Sequence, residues 1–570
     1  PASAPIQPSV TPAISPAWLT KPPTPEVTAA QPEPTLEPTL ETRPEAGGDE
    51  IPTAAASAQP QATATEEAAF QLPELFGRLW TVSTAPGVPE EVLSSARSLA
   101  SERPEDFLWV EPSSLPTDIT MSLDGQEPLM EWTYVVAAPF ATLEDEISLE
   151  ALQALWNGTS SVDQQLIVSD GTLALLEHLW GRPGSGVEVV GDGELSESLW
   201  AQRPSLTVLP FHNLKPDLKV IRLDGTSPLD DDFSPENYPL TVQFSLDGEQ
   251  EALAAFIGAW QGGRKNFDPG KLTRVAMTGV TALVRATATQ MEIDGILAPA
   301  RDVGPVLRAA DVAHISNEVS FSADCPEPNP VGGTTFCSQD EYFALLEEIG
   351  TDVIELTGNH LNDWGADYVL RTIDMYEAAG MDYFGGGRDS TDARKAALID
   401  HNGNQIALVG CNYFGPSYAW ASENTAGSRA CDPGFFEQIS VLDDEGFVVI
   451  ATQQYTEYYQ YPPTPDQQAD FRAIAGAGAA AVSGSQGHHA QGFEFHEGTI
   501  IHYGLGNLFF DQMDMLGTRQ TFVDIYNIYD GRLLTVDLWT GLIENYFLPR
   551  EMTADERQEA LEAVFQASGW

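Results

Sequence analysis

Between Asp352 and Ala379 the chain passes from an apolar run through a polar loop into helical periodicity, and this unit constrains the fold more than any other stretch. Asp352-Val-Ile-Glu-Leu356 is apolar enough for a buried strand, and Ala366 to Ala379 repeats apolar residues at helical spacing. The loop between them sets Asn359 and His360 at the carboxyl end of a strand, the edge at which open α/β sheets bind ligands. There an Asn can offer its carbonyl oxygen to a metal and the adjacent His can give up a proton. The same residues also fit a Gly-Asn turn followed by Asp363 as a helix cap.

A chain of 570 residues exceeds one hydrophobic core and predicts two or three domains. With 84 acidic against 27 basic residues, the formal charge of -57 excludes a nucleic-acid binder that works by neutralising phosphates. No stretch reaches the roughly 18 consecutive apolar residues of a membrane span. Residues 1–67 carry Pro-Thr-Glu repeats such as Glu33-Pro-Thr-Leu-Glu-Pro-Thr-Leu-Glu41 and lack a period that could bury a face. That composition predicts a disordered, semi-extended tether. A stalk of this kind fits an exported, cell-surface or extracellular protein, with anchoring through a segment ahead of Pro1. The four cysteines fall in two close pairs, Cys325/Cys337 and Cys411/Cys431, without metal-type Cys-x-x-Cys spacing. Two local disulfides in an oxidising compartment fit this spacing, with four free thiols as the alternative.

Residues 68–265 predict a smaller α/β domain. Trp132 to Pro139, Gln165 to Ser169, Leu206 to Pro210 and Leu218 to Leu223 have strand character, and Ser148 to Trp156 is an amphipathic helix with Ser148 as its N-cap. The order loosely resembles an extracellular solute-binding protein of the phosphate- or molybdate-binding kind. Ala138-Pro139, the helix ending at Asn157-Gly158 and Pro210 to Lys219 carry the likeness. Helix starts near Ser169 and Thr172 could hold an anion, although capped starts occur throughout α/β proteins.

Residues 270–550 predict a second, layered α/β domain, followed by a C-terminal helix over 551–570. Its strands open with Arg274 to Gly279 and recur at Gln405 to Gly410, Phe447 to Thr452, Ala479 to Ser483 and Thr499 to Tyr503. Five loop motifs appear in order: Ser316-Asn-Glu318, Gly358-Asn-His-Leu-Asn-Asp-Trp-Gly365, Gly385-Gly-Gly-Arg388, Gln486-Gly-His-His-Ala-Gln-Gly492 and Tyr503-Gly-Leu-Gly-Asn-Leu-Phe-Phe510. Together they resemble the CapA family of capsule and poly-γ-glutamate synthesis proteins. The resemblance covers about 272 to 512 and implies a metallophosphatase-like α/β sandwich.

That resemblance implies His360 as general acid with Asp363, and Glu318, Asn359 and His488 as metal ligands. It also implies losses: the family's Gly-Asp is Gly279-Val280 here, its His-Trp-Gly-x-Glu loop is Gln453 to Glu457, and a His of its Gly-His-His-Pro-His motif is Gln486. Val280, Gln453 and Gln486 thus replace one carboxylate and two imidazoles, and Val has no lone pair to offer. His489 could replace the missing imidazole if its loop is shifted by one residue. A divalent ion (Mn, Zn, Mg or Ca) is expected to bind weakly or not at all. The expected substrate contacts are Arg285, Arg388, Glu457 and Asn507. The partners to be expected are an extracellular anionic polymer or glycan, or other envelope polymer-synthesis proteins. Three functions stay open: polymer synthesis or processing with altered metal chemistry, a non-catalytic binding protein, and a metal-dependent hydrolase of a phosphoester or amide.

Overall fold

Long apolar strands organise the protein into three large sheets. The computed structural model describes residues 78–112 and 116–570, so the expected tether lies outside the described residues. The first sheet is built from β1 (Trp80–Thr84), β2 (Phe107–Trp109), β3 (Ile119–Ser122), β4 (Glu127–Pro139), β5 (Glu146–Ile147), β6 (Gln165–Ser169), β7 (Val187–Val190), β8 (Ser205–Pro210), β9 (Leu218–Leu223) and β10 (Thr241–Gly248). Its order is β2-β1-β3-β10-β4-β8-β6-β7, with β9 on β4 and β5 on β9. The run from Trp132 to Pro139 is buried throughout, as its unbroken apolar character requires. Its length lets β4 pair with β10 through one half and with β8 and β9 through the other. Helix α1 (Leu149–Trp156) starts where expected, with the Ser148 side chain accepting from the Ala151 amide at 3.1 Å.

The second region continues with β11 (Leu272–Thr278), β12 (Val280–Thr281), β13 (Val312–Asn317), β14 (Val353–Glu355), β15 (Asp382–Phe384), β16 (Ala397–His401), β17 (Asn404–Asn412), β18 (Val448–Gln454) and β19 (Ala481–Ser485). It closes with β20 (Phe493–His496), β21 (Thr499–His502), β22 (Asn507–Phe509), β23 (Gln520–Tyr529), β24 (Arg532–Glu544) and β25 (Leu548–Glu551). One sheet runs β15-β14-β13-β11-β23-β24-β25, with β12 against β13 and β22, and the other runs β16-β17-β18-β19-β21-β20. Apolar residues from the inner faces of both, including Val275, Val312, Val353, Ile406, Ile450 and Ile500, form one shared core. Helices α2 (Ala300–Ala309) and α3 (Ala366–Ala379) cover the outer face of the first sheet. Helices α4 (Pro433–Asp444) and α5 (Pro465–Ala475) cover the outer face of the second. The result is the helix-sheet-sheet-helix arrangement of a metallophosphatase-like sandwich, the layered α/β class expected.

All described residues belong to one compact unit. Phe140, just beyond β4, packs edge-on to Phe493, Phe565 and Trp570, and Leu218 accepts a 2.7 Å hydrogen bond from Thr535 on β24. The last helix, α6 (Ala554–Ala567), lies in this seam, and its Arg557 reaches Asp145. Both cysteine pairs are disulfides, Cys325–Cys337 and Cys411–Cys431. Among the described residues no helix is long and apolar enough to cross a membrane.

Candidate functional site

Strands β13, β14, β18 and β19 run parallel to their sheet neighbours, so their carboxyl ends gather at one edge of the sandwich. Glu318 follows β13, Asn359 and His360 follow β14, Gln454 ends β18, and Gln486 and His488 follow β19. The loops approach so closely that a Cβ on Gly358 would lie 2.5 Å from the Glu318 backbone, which explains the glycine of the Gly358-Asn-His360 motif. Arg285, Gln486 and His488 adopt left-handed backbone angles, φ +48°, +74° and +48°. Non-glycine residues rarely take this conformation, and such strain concentrates at functional sites.

Gln454 is the hub of the buried floor. Its amide nitrogen lies 3.0 Å from Glu318 Oε1 and 3.0 Å from Asn359 Oδ1, and it also meets Gln486 Oε1. Gln486 in turn donates to Glu457 Oε1 at 3.3 Å, and His488 Nε2 lies 3.9 Å from the same oxygen. Glu318, Asn359, Gln454, Gln486 and His488 are all buried, whereas the Glu457 side chain is partly open to solvent. On the other side, His360 Nδ1 meets Asp363 Oδ2 at 2.6 Å, and Asp363 also accepts from the Phe336 amide at 3.0 Å. Asp363 therefore holds an imidazole and a loop and is not a helix cap; Gly365 takes the N-cap position of α3.

Burial, reinforced by the charges of Glu457, Glu355 and Asp363, pushes the Glu318 carboxyl well above its ordinary range, and its Oε2 has no partner. Burial likewise lowers the His488 imidazole, against the opposing pull of Glu457 and the hydrogen bond to Asn507. Beneath the floor lies Glu355, fully buried, with His314 Nε2 at 3.2 Å and Ser485 Oγ at 3.1 Å. Burial raises Glu355, but His314 and the hydroxyls of Thr357 and Thr452 outweigh it and hold the carboxyl below its usual value.

The expected residues divide into three groups. Glu318, Asn359, His360, Asp363, Glu457 and His488 come together at the sheet edge. Arg285 borders them: its guanidinium lies 4.7 Å from the Phe510 ring centre and is paired with Asp511. Asn507 is buried behind His488, accepting from its Nδ1 at 2.7 Å, and so orients the imidazole. Arg388 is elsewhere, paired with Asp374 and Glu377 on α3.

Strand parity corrects one assignment. On β18, Val448 and Ile450 face the shared core while Val449 and Ala451 face the helices, so Gln454 points inward and Gln453 outward. Gln453 lies 3.6 Å from Cys431, and Gln454 is the amide that enters the site. His489 does not take the missing imidazole's place, since it donates to its neighbour's carbonyl at 2.6 Å and packs on Tyr461. Sequence reasoning missed Gln454, Glu355 and His314. Counting parity back from the apolar residues of β18 would have found the first.

Val280 is buried and apolar, and the Gln454 amide nitrogen stands among the Glu318, Asn359 and Gln486 oxygens, whereas a two-metal centre draws on several carboxylates and imidazoles. Among the described residues no group of three or more His, Cys, Asp or Glu side chains is placed to hold a metal. What the arrangement offers is a floor of amides and carboxyls with a partly exposed His360–Asp363 pair and Glu457 at its edge.

Residues 274–512 match the model of a family described as bacterial capsule synthesis protein PGA_cap. The capsule biosynthesis protein CapA of Bacillus anthracis is 29% identical over 206 residues, covering 35% of this chain and 50% of that protein. The PGA biosynthesis protein CapA of Bacillus subtilis (strain 168) is 27% identical over 215 residues, covering 37% of this chain and 56% of that protein. The chain thus spans about half the length of these curated relatives. A solved phosphate transport receptor from Vibrio cholerae covers 32% of this chain and 93% of its own, at 13% identity and a TM-score of 0.27, which carries no assignment.

Proposed function

Since residues 274–512 belong to the PGA_cap family of bacterial capsule synthesis proteins, we propose that this chain is an extracytoplasmic accessory protein of extracellular polymer synthesis or processing, whose strand-end cleft holds a ligand without hydrolysing it. The observation that carries this reading is the Gln454 hub. One neutral amide ties together Glu318, Asn359 and Gln486, so the floor is held in shape by hydrogen bonds among protein groups. A hydrolase of this architecture needs cations at that place to polarise its substrate and activate water. Two disulfides support the extracytoplasmic setting. The acidic charge of the chain is compatible with it but does not specify it.

A second reading, an intact metal-dependent hydrolase of a phosphoester or amide, draws on the His360–Asp363 pair, which has the form of an oriented general acid. The test is turnover of bis(p-nitrophenyl) phosphate and of poly-γ-glutamate by the full chain, with and without added manganese or zinc. The expected result is no cleavage above background. Metal-dependent cleavage abolished by His360→Ala would establish the hydrolase.

A further inference from the structure

Among the described residues the large aromatic side chains left exposed are Phe414, Tyr418, Tyr458, Tyr459 and Tyr546. The first four sit on the two loops that follow β17 and β18, beside the candidate site. Tyr459 donates to Glu457 Oε2 at 2.7 Å and accepts from Gln512 at 3.3 Å, so its ring stands on the His488 side. Tyr418 stands on the other side: its carbonyl accepts from Asn362 at 3.1 Å, and Asp363 is near enough to act with burial in raising its hydroxyl. As whole residues, Tyr418 and Tyr459 are 64% and 41% exposed, respectively. Near them, the His360 and Glu457 side chains are partly accessible, 18% and 38% exposed.

This pattern selects a ligand chemistry. An aromatic face is electron-rich and takes the C–H face of a sugar ring, while imidazole and carboxylate groups match hydroxyls that both donate and accept. An anionic polymer has no counterpart here. Arg285 is taken up by Asp511, Arg388 lies with the acids of α3, and the accessible edge carries Glu457 in a chain of net charge -57. We infer that this rim is a binding platform for a neutral polysaccharide, with sugar rings stacked on Tyr418 and Tyr459 and hydroxyls held by His360 and Glu457. The inference rests on the reading of the cleft as a holding site and names its ligand class.

Affinity electrophoresis of the full chain in gels containing dextran, laminarin, galactomannan or poly-γ-glutamate tests it. At least one neutral polysaccharide retards the protein, and about 0.5 M salt leaves that retardation unchanged because no charge pair is involved. The double variant Tyr418→Ala/Tyr459→Ala binds at least tenfold more weakly, whereas Tyr418→Phe, which keeps the ring, binds as the parent does. Both side chains are exposed, so the melting temperatures of these variants stay within about 2 °C of the parent. Failure of every neutral polymer to retard the chain overturns the inference, as does parent-like binding by the double variant. Salt-sensitive binding of poly-γ-glutamate alone overturns the ligand class and leaves the holding-site reading standing. Metal-dependent cleavage of a bound neutral polymer overturns the holding-site reading and leaves the platform standing.

Discussion

Gln454 and Gln453 differ by one position and by nearly everything else. Replacing Gln454 with Leu leaves oxygens of Glu318, Asn359 and Gln486 without their shared donor. Removing one partner of a buried polar group costs about 1 to 3 kcal/mol, so the loss in urea-unfolding free energy should be on the order of 3 kcal/mol. Gln453→Leu should stay within about 1 kcal/mol, because its buried Oε1 already lacks a partner. Equal effects at the two positions would contradict the parity assignment. At this scale the sequence was legible for residues held by short motifs, such as the Gly358-Asn-His360 loop. It was misleading where a position depended on counting along a strand whose end was not visible. For Asn507 and Arg388 the surroundings were not legible for another reason: a motif names a residue type, while the neighbours that claim its side chain come from distant parts of the chain.

Elements were more legible than contacts. The helix over Ala366 to Ala379 and the strands over Gln165 to Ser169 and Leu218 to Leu223 follow the periodicity of their own residues. Beyond the opening strand, Val280 and Thr281 form the short β12 between β13 and β22, and the chain then turns into a helix at Arg285. At the C-terminal helix α6, Thr553 and Glu556 form a capping box, and the Arg550 ion pair together with the Thr553 amide lowers the Glu556 carboxyl from 4.5 to about 2. A carboxyl depressed in the folded state stabilises above its unfolded value and loses that contribution as pH falls towards the folded one. The melting temperature of the parent should therefore fall more steeply than that of Glu556→Gln between pH 4.5 and pH 2. Parallel curves would remove the helix cap from the account. The disulfides act on loops instead. Cysteine separations of 12 and 20 correspond to about 3 kcal/mol each in the chain-entropy model, so Cys411→Ser/Cys431→Ser should lower the unfolding free energy by that order. An unchanged urea midpoint would show a slack bridge.

How tightly the two α/β regions associate was not legible in the sequence, since that seam is made by residues hundreds of positions apart. Phe140 enters the cluster of Phe493, Phe565 and Trp570, and Lys219 and Arg557 both meet Asp145. Truncating a buried aromatic typically costs about 3 to 5 kcal/mol. Calorimetry of the parent should show one transition for the two regions, and Phe140→Ala should divide it into two. Two resolved transitions in the parent would mean that the seam contributes little. The central claim, that amides have closed the place of a two-metal centre, is tested most directly by elemental analysis of the protein after dialysis against manganese or zinc. The account predicts fewer than two ions retained per chain, with no change on His488→Ala; two tightly held ions per chain, lost in that variant, would contradict it.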